Sequence, residues 1–295
     1  LCFIVLAACG RVGFDARDLA RDASDGDGAD ARVPCAGPFG PPQLIPNVNS
    51  TANDWGGHMT EDRLELYFGS DRSGGTSTDL YVAKRARTSD EFGTPVRLDD
   101  LATVDPDDNP FVTADGLTLW FDSNGEIFSA RRATTSDPWG PASIVPSLNS
   151  VNEDVAPALS EDELMMYVAS RRPPTLGDYD VWLSQRASTG DVFPAPIKLT
   201  GAINTAAFDC CVWIRSGGTE LWFTATPVLN EIQVIQRDPV TGMTSGTPVT
   251  NPLFDSPEND VDVFGTPGDE VIGFSSNRPG GIGTFDLYFV QRSCP

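Results

Sequence analysis

From residue 39 onward, short runs of alternating apolar and polar residues recur along the chain, separated by clusters of Gly, Pro, Asn and Asp. Period-two alternation of this kind, rich in β-branched and aromatic residues, predicts strands. The most apolar patches are Leu66-Tyr67-Phe68, Leu119-Trp120-Phe121, Met166-Tyr167-Val168, Leu221-Trp222-Phe223 and Ile272-Gly273-Phe274. Their last residues lie 53, 47, 55 and 51 residues apart. A repeat of about fifty residues is therefore the organising feature.

Each repeat carries the same markers at fixed offsets. Fourteen residues before each patch end stands an aspartate: Asp54, Asp107, Asp154, Asp209 and Asp260. A small polar residue follows two after the patch (Ser70, Ser123, Ser170, Ser276), with Ala225 the exception. A Gly-containing turn comes next, such as 71–75 or 277–281, and then an acid opens another strand: Asp79, Glu126, Asp180, Glu231 and Asp286. Six residues after each of these acids is an arginine: Arg85, Arg132, Arg186, Arg237 and Arg292. An aromatic turn then closes the unit at Phe92-Gly93, Trp139-Gly140 and Phe193-Pro194, with Ser245-Gly246 in its place in the fourth. In the first unit the strands fall at roughly 56–60, 64–69, 79–84 and 95–98. Four strands per unit, repeated, predict an all-β five-bladed propeller, because a lone four-stranded sheet cannot bury both faces. The fifth unit runs out after three strands, while Phe39-Gly40 stands 15 residues before Asp54, the spacing of Phe92 to Asp107. The N-terminal strand near 42–46 is thus expected to complete the last blade and remove an open edge.

The consensus D-x-x-P-x-x-S-x-D-G-x-x-L-x-F-x-S-x-R-x-G-G…D-L-Y, clearest in 107–123 and 276–288, resembles the WD-like propeller repeats of the TolB type over residues 39–292. The resemblance implies a periplasmic or surface protein that binds a protein or a glycan. The fourth unit departs from it, with Arg215-Ser216-Gly217-Gly218 in place of S-x-D-G.

The N-terminus adds a setting. Leu1 to Ala8 is too short to span a bilayer, and Leu6-Ala7-Ala8-Cys9 resembles a lipobox, with Cys9 the lipidated residue and Gly10 pointing to the outer membrane. Residues 10–35, rich in Asp and Ala, bury too little to fold and predict a disordered tether ahead of a propeller over 36–295. Asp25, Asp27 and Asp30 do not make an EF-hand, since Ala36 falls where the closing carboxylate belongs. The formal charge of −22 excludes nucleic acid and disfavours anionic membrane surfaces, so a lipid anchor is the expected membrane contact.

Candidate chemistry is sparse. The aspartates 54, 107, 154, 209 and 260 are expected around one mouth of the channel, where they either bind a cation such as Ca²⁺ or cap backbone N–H groups, the reading preferred for a residue every repeat carries. The acid-to-arginine pairs predict an ion pair or a turn brace. His58, the one histidine, forms no triad by itself; with Trp55 and Trp213 it is a candidate ligand contact. Acids unique to one blade, Asp108 and Asp262, are the asymmetric candidates for a glycoside hydrolase, which needs two unequal carboxylates. Cys35 and Cys294 flank the clasped ends and predict a disulfide; Cys210 and Cys211 are adjacent, with a vicinal disulfide and two free thiols both open. These features together predict a monomeric, non-enzymatic binding or scaffold lipoprotein, with a five-bladed glycoside hydrolase as the alternative.

Overall fold

The computed structural model describes residues 37–293 apart from 75–76, 227–229 and 255. Residues 1–36 and 294–295 lie outside that range, so Cys9, the tether and the proposed partners Cys35 and Cys294 do too. After an N-terminal strand β1 (Gln43–Leu44), blade one comprises β2 (Asp54–Met59), β3 (Glu65–Ser70), β4 (Asp79–Lys84) and β5 (Val96–Arg97). Blade two comprises β6 (Asp107–Val112), β7 (Thr118–Ser123), β8 (Glu126–Arg131) and β9 (Ser143–Ile144). Blade three comprises β10 (Asp154–Leu159), β11 (Met165–Ser170), β12 (Asp180–Gln185) and β13 (Ile197–Lys198). Blade four comprises β14 (Asp209–Ile214), β15 (Glu220–Ala225), β16 (Glu231–Arg237) and β17 (Thr244–Thr250). Blade five comprises β18 (Asp260–Gly265), β19 (Val271–Ser276) and β20 (Asp286–Gln291), and β1 pairs with β20 as its fourth strand. The ring is an all-β five-bladed propeller closed by its N-terminal strand.

The clasp is bonded at several points. Gln43 and Leu44 face Phe289 and Tyr288, Ile45 N–H donates to the Leu287 carbonyl at 3.0 Å, and Gly40 N–H to that of Gln291 at 2.9 Å. Asn49 donates to the Leu287 carbonyl at 2.9 Å and accepts from its N–H at 2.7 Å. Asn149 with Ile127 and Asn204 with Val181 repeat that two-way contact, so one amide side chain extends each sheet by a rung. The second strands are the most buried. Phe68, Phe121, Phe223 and Phe274 are fully buried and pack where blades meet.

The recurrent arginines are turn braces rather than ion-pair partners of the acids six residues earlier. Nε of Arg85, Arg132, Arg186 and Arg292 donates to the carbonyls of Arg63, Gly116, Glu163 and Asp269 in the neighbouring hairpins. Their guanidinium groups lie 4.4, 4.3, 4.2 and 4.1 Å from the rings of Phe92, Trp139, Phe193 and Phe39. Six residues place the arginine beyond the strand end, where the hairpin carbonyl and the aromatic turn converge. In blade five that ring comes from the N-terminal segment, so the brace also locks the clasp.

Candidate functional site

The five repeat aspartates stand first on the inner strands β2, β6, β10, β14 and β18, buried to 2% exposure or less. Each is bonded within its own blade. Asp54 accepts from Ser50 N–H at 2.6 Å, Asp107 from Thr103 N–H at 2.7 Å, Asp154 from Ser150 N–H at 2.6 Å and Asp209 from Thr205 N–H at 2.5 Å; Asp260 accepts from the Ser256 hydroxyl at 2.7 Å. In blades one, three and five an arginine 18 residues on adds an ion pair: Arg72, Arg172 and Arg278 at 2.5, 2.5 and 2.7 Å. Gly125 holds that position in blade two. There, and in blade four, burial raises the carboxyl pKa of Asp107 and Asp209 against the bonds from Thr103 and Thr205. No group of three or more His, Cys, Asp or Glu among the described residues is arranged to hold a metal ion.

The channel is lined by a feature with little sequence signal. Each inner strand slips register after its second residue, so that two residues face one on the partner strand. This is a β-bulge, which re-aims side chains. Its pivot is left-handed in all five blades: Gly56 (φ 58°), Asn109 (49°), Ala156 (52°), Cys211 (57°) and Asp262 (53°). Gly and Asn adopt this region readily, while the other three do so at a cost on the order of 1 kcal/mol each. The bulges direct these residues to the channel, where the free space at their level is about 50 Å³. Cys210 and Cys211 are joined by a disulfide, with Cys211 on the channel wall.

Three acids unique to their blades gather toward the end where the inner strands begin, here the entry face. Asp108 follows Asp107 on β6, Asp122 lies directly opposite it on β7, and Asp262 is the bulge pivot of β18. Trp55 Nε1 donates to Asp108 at 2.5 Å, and Asn109 N–H at 2.8 Å. Asp122 Oδ1 accepts from the Asn109 side chain at 2.9 Å and from Ala156 N–H at 2.8 Å. Gly56 and Gly69 leave the room Asp108 occupies, since a Cβ on Gly69 would lie 2.2 Å from its Oδ1. Among the described residues no Lys or Arg forms an ion pair with these carboxyl groups. Burial pushes Asp108 well above the usual carboxylate range, with the Asp122 charge adding to it. Burial likewise raises Asp122 to about 7 and Asp262 to about 6. Neighbouring like charges disfavour ionising together. Asp122 was not visible as a site residue in the sequence, because its partner is set by strand register.

The aromatic candidates do not form one exposed platform. Trp55 is half-buried and spent on Asp108, with its ring edge-on to Phe285. Trp213 is fifth on β14 and so lies away from the aspartates, toward the opposite exit face; it is half-buried against Trp222 and fills the space a Cβ on Gly265 would take. His58 sits midway, its ring 4.2 Å from that of Phe111, with Nε2 3.0 Å from the Val112 carbonyl. Burial lowers its pKa to about 4, which keeps the imidazole neutral and makes Nε2–H the donor.

No protein-family model and no curated protein matches the sequence. Among solved structures, the catalytic domain of the Coprinopsis cinerea GH62 α-L-arabinofuranosidase superposes with a TM-score of 0.61 at 9% identity, covering 89% of this chain and 100% of that one. An α-L-arabinofuranosidase from Lactobacillus brevis gives 0.54 at 13% identity, over 84% of this chain and 92% of its own. TolB from Acinetobacter baumannii gives 0.48 at 14% identity, over 82% of this chain and 55% of its own. At such identities likeness extends to fold and not to site. The chain is a five-bladed β-propeller similar in fold to arabinofuranosidase catalytic domains.

Proposed function

We propose that the protein is an exported, lipid-anchored binding propeller that recognises another protein through its entry face. The observation that carries this reading is the width of the channel. About 50 Å³ at the level of the bulges holds one or two water molecules, whereas small-molecule sites run to about 300–1,000 Å³. The entry face instead offers a rim. Three residues before each repeat aspartate stand Thr51, Val104, Val151, Ala206 and Pro257, all exposed, with Val104 and Val151 at 94% and 100%. Leu176 and Ile282 project from the loops between second and third strands on the same face, at 61% and 55% exposure. Aliphatic side chains give a protein partner apolar contact. The Cys210–Cys211 disulfide supports an oxidising compartment, as does the lipobox-like run ending at Cys9.

Glycoside hydrolysis is the second reading, favoured by one observation. Asp108, Asp122 and Asp262 are unique to their blades, and each has a raised pKa at one end of the channel, as acid catalysts need. Assay of the purified propeller with a chromogenic α-L-arabinofuranoside and with arabinoxylan separates the two. No release above blank is expected. Release abolished by Asp108→Asn or Asp262→Asn would replace binding with catalysis.

A further inference from the structure

The exit mouth of the channel is a second cavity, chemically unlike the first. Its free space is about 90 Å³, and Phe111, Trp213, Met59 and the neutral His58 are among its walls. Glu61, Glu161 and Glu163 also line it, and among the described residues no Lys or Arg does. These glutamates are not what the fold requires. In the β2–β3, β6–β7 and β10–β11 hairpins the turn is held by the next acid along: Asp62, Asp115 and Asp162 accept from Thr60, Thr113 and Ser160 at 2.7, 2.7 and 2.5 Å. Where blades one and three have Glu61 and Glu161, blade two has Ala114 and blade four Ser216. A side chain that the repeat does not need, placed on the wall of an apolar pocket, marks that pocket rather than the turn. Glu163 is partly engaged, accepting from Ala114 N–H at 3.2 Å with Arg186 at 3.9 Å, whereas Glu61 and Glu161 are exposed at the rim.

We propose that this pocket binds an alkylammonium group, its methylenes against Phe111 and Trp213 and its charge among Glu61, Glu161 and Glu163. The free space suits one unbranched chain of a few carbons. The Trp213 ring adds a cation–π contact, and the carboxylates add charge-assisted hydrogen bonds to a three-donor head. Mutual repulsion fits the same picture: partial desolvation at the rim raises the Glu61 pKa, and the charges of Glu161 and Glu163 raise it further, a cost that a bound cation removes. The group comes from either of two sources, a lysine side chain projecting from a protein or a free small amine. This site lies on the face opposite the proposed protein-binding rim, so its failure leaves that reading intact.

The test is titration of the purified propeller with n-butylammonium, with a lysine-containing peptide and with pentan-1-ol, read by tryptophan fluorescence and by calorimetry. Saturable binding of n-butylammonium is expected in the millimolar range, up to about 10 mM for so small a fragment. Glu61→Gln with Glu161→Gln should weaken it about tenfold or more, and Trp213→Phe should remove the fluorescence change. Binding of both cations supports the site for either source; binding of the peptide alone supports it for a protein lysine. Absence of saturable binding by both, equal binding of pentan-1-ol, or unchanged affinity in the glutamate variant would overturn the proposal.

Discussion

Replacing Asp122 by Asn should raise the stability of the propeller at pH 7.5 by about 2–4 kcal/mol, a large gain for one surface-distant substitution. Asp122 is 6% exposed and faces Asp108 across the β6–β7 pair. A rise from 3.8 to about 7 corresponds to about 4 kcal/mol of penalty on the ionised form. The folded pKa lies above the unfolded one, so the folded state binds the proton more tightly. That contribution is complete below pH 4 and is lost as pH rises through about 7. Asp262, raised to about 6, acts in the same direction over a lower window. Both bonds to Asp122 end on Oδ1, which an Asn carbonyl oxygen can reproduce. Urea unfolding at pH 7.5 and pH 4 is the check. The variant should gain at the higher pH and fall to within about 1 kcal/mol of wild type at the lower. Equal stability at both pH values would show that Asp122 ionises normally.

Replacing Arg172 by Ala should cost about 3–5 kcal/mol, because it leaves a fully buried carboxylate without its cation. Arg172 pairs with Asp154 through Nε at 3.1 Å and Nη2 at 2.5 Å, donates to the Leu148 carbonyl and covers the Trp182 ring at 5.2 Å. Asp154 would keep the Ser150 N–H bond, too little for a charge at 0% exposure. The neighbouring Arg171 is the internal control. It pairs with Glu153 and Asp178 at the surface, all three being 40–49% exposed, so Arg171→Ala should change stability by less than about 1 kcal/mol. Equal losses in the two variants would refute the burial argument.

The blade count, the order of strands and the closure were legible because the repeat writes its markers at fixed offsets. In blade one, strands expected near 56–60, 64–69, 79–84 and 95–98 are found at Asp54–Met59, Glu65–Ser70, Asp79–Lys84 and Val96–Arg97. The channel wall was not legible. The bulge pivots include Ala156, Cys211 and Asp262, none of which advertises a left-handed backbone as Gly56 does. The acid cluster was half visible: Asp108 and Asp262 stood out as breaks in the repeat, but Asp122 meets Asp108 through strand pairing, which spacing along one chain does not reveal. The recurring arginines were placed by sequence at the right positions, yet their partners are carbonyls and rings brought in by the next hairpin and turn. Trp213, grouped with the aspartates because it follows Asp209 closely, lies four positions beyond Asp209 on the strand and so toward the exit mouth.

Photo-crosslinking in cells tests whether the entry face binds a protein. A photoreactive residue would be placed at Val104 or Val151, and separately at Val192, which is 84% exposed between β12 and β13 on the exit face. A discrete protein adduct, recovered with the membrane fraction, is expected from positions 104 and 151 and none from 192, which lies between the outer two strands of its blade and away from the channel mouth. Adducts from 192 alone, or no protein adduct from 104 and 151 despite full folding, would contradict it.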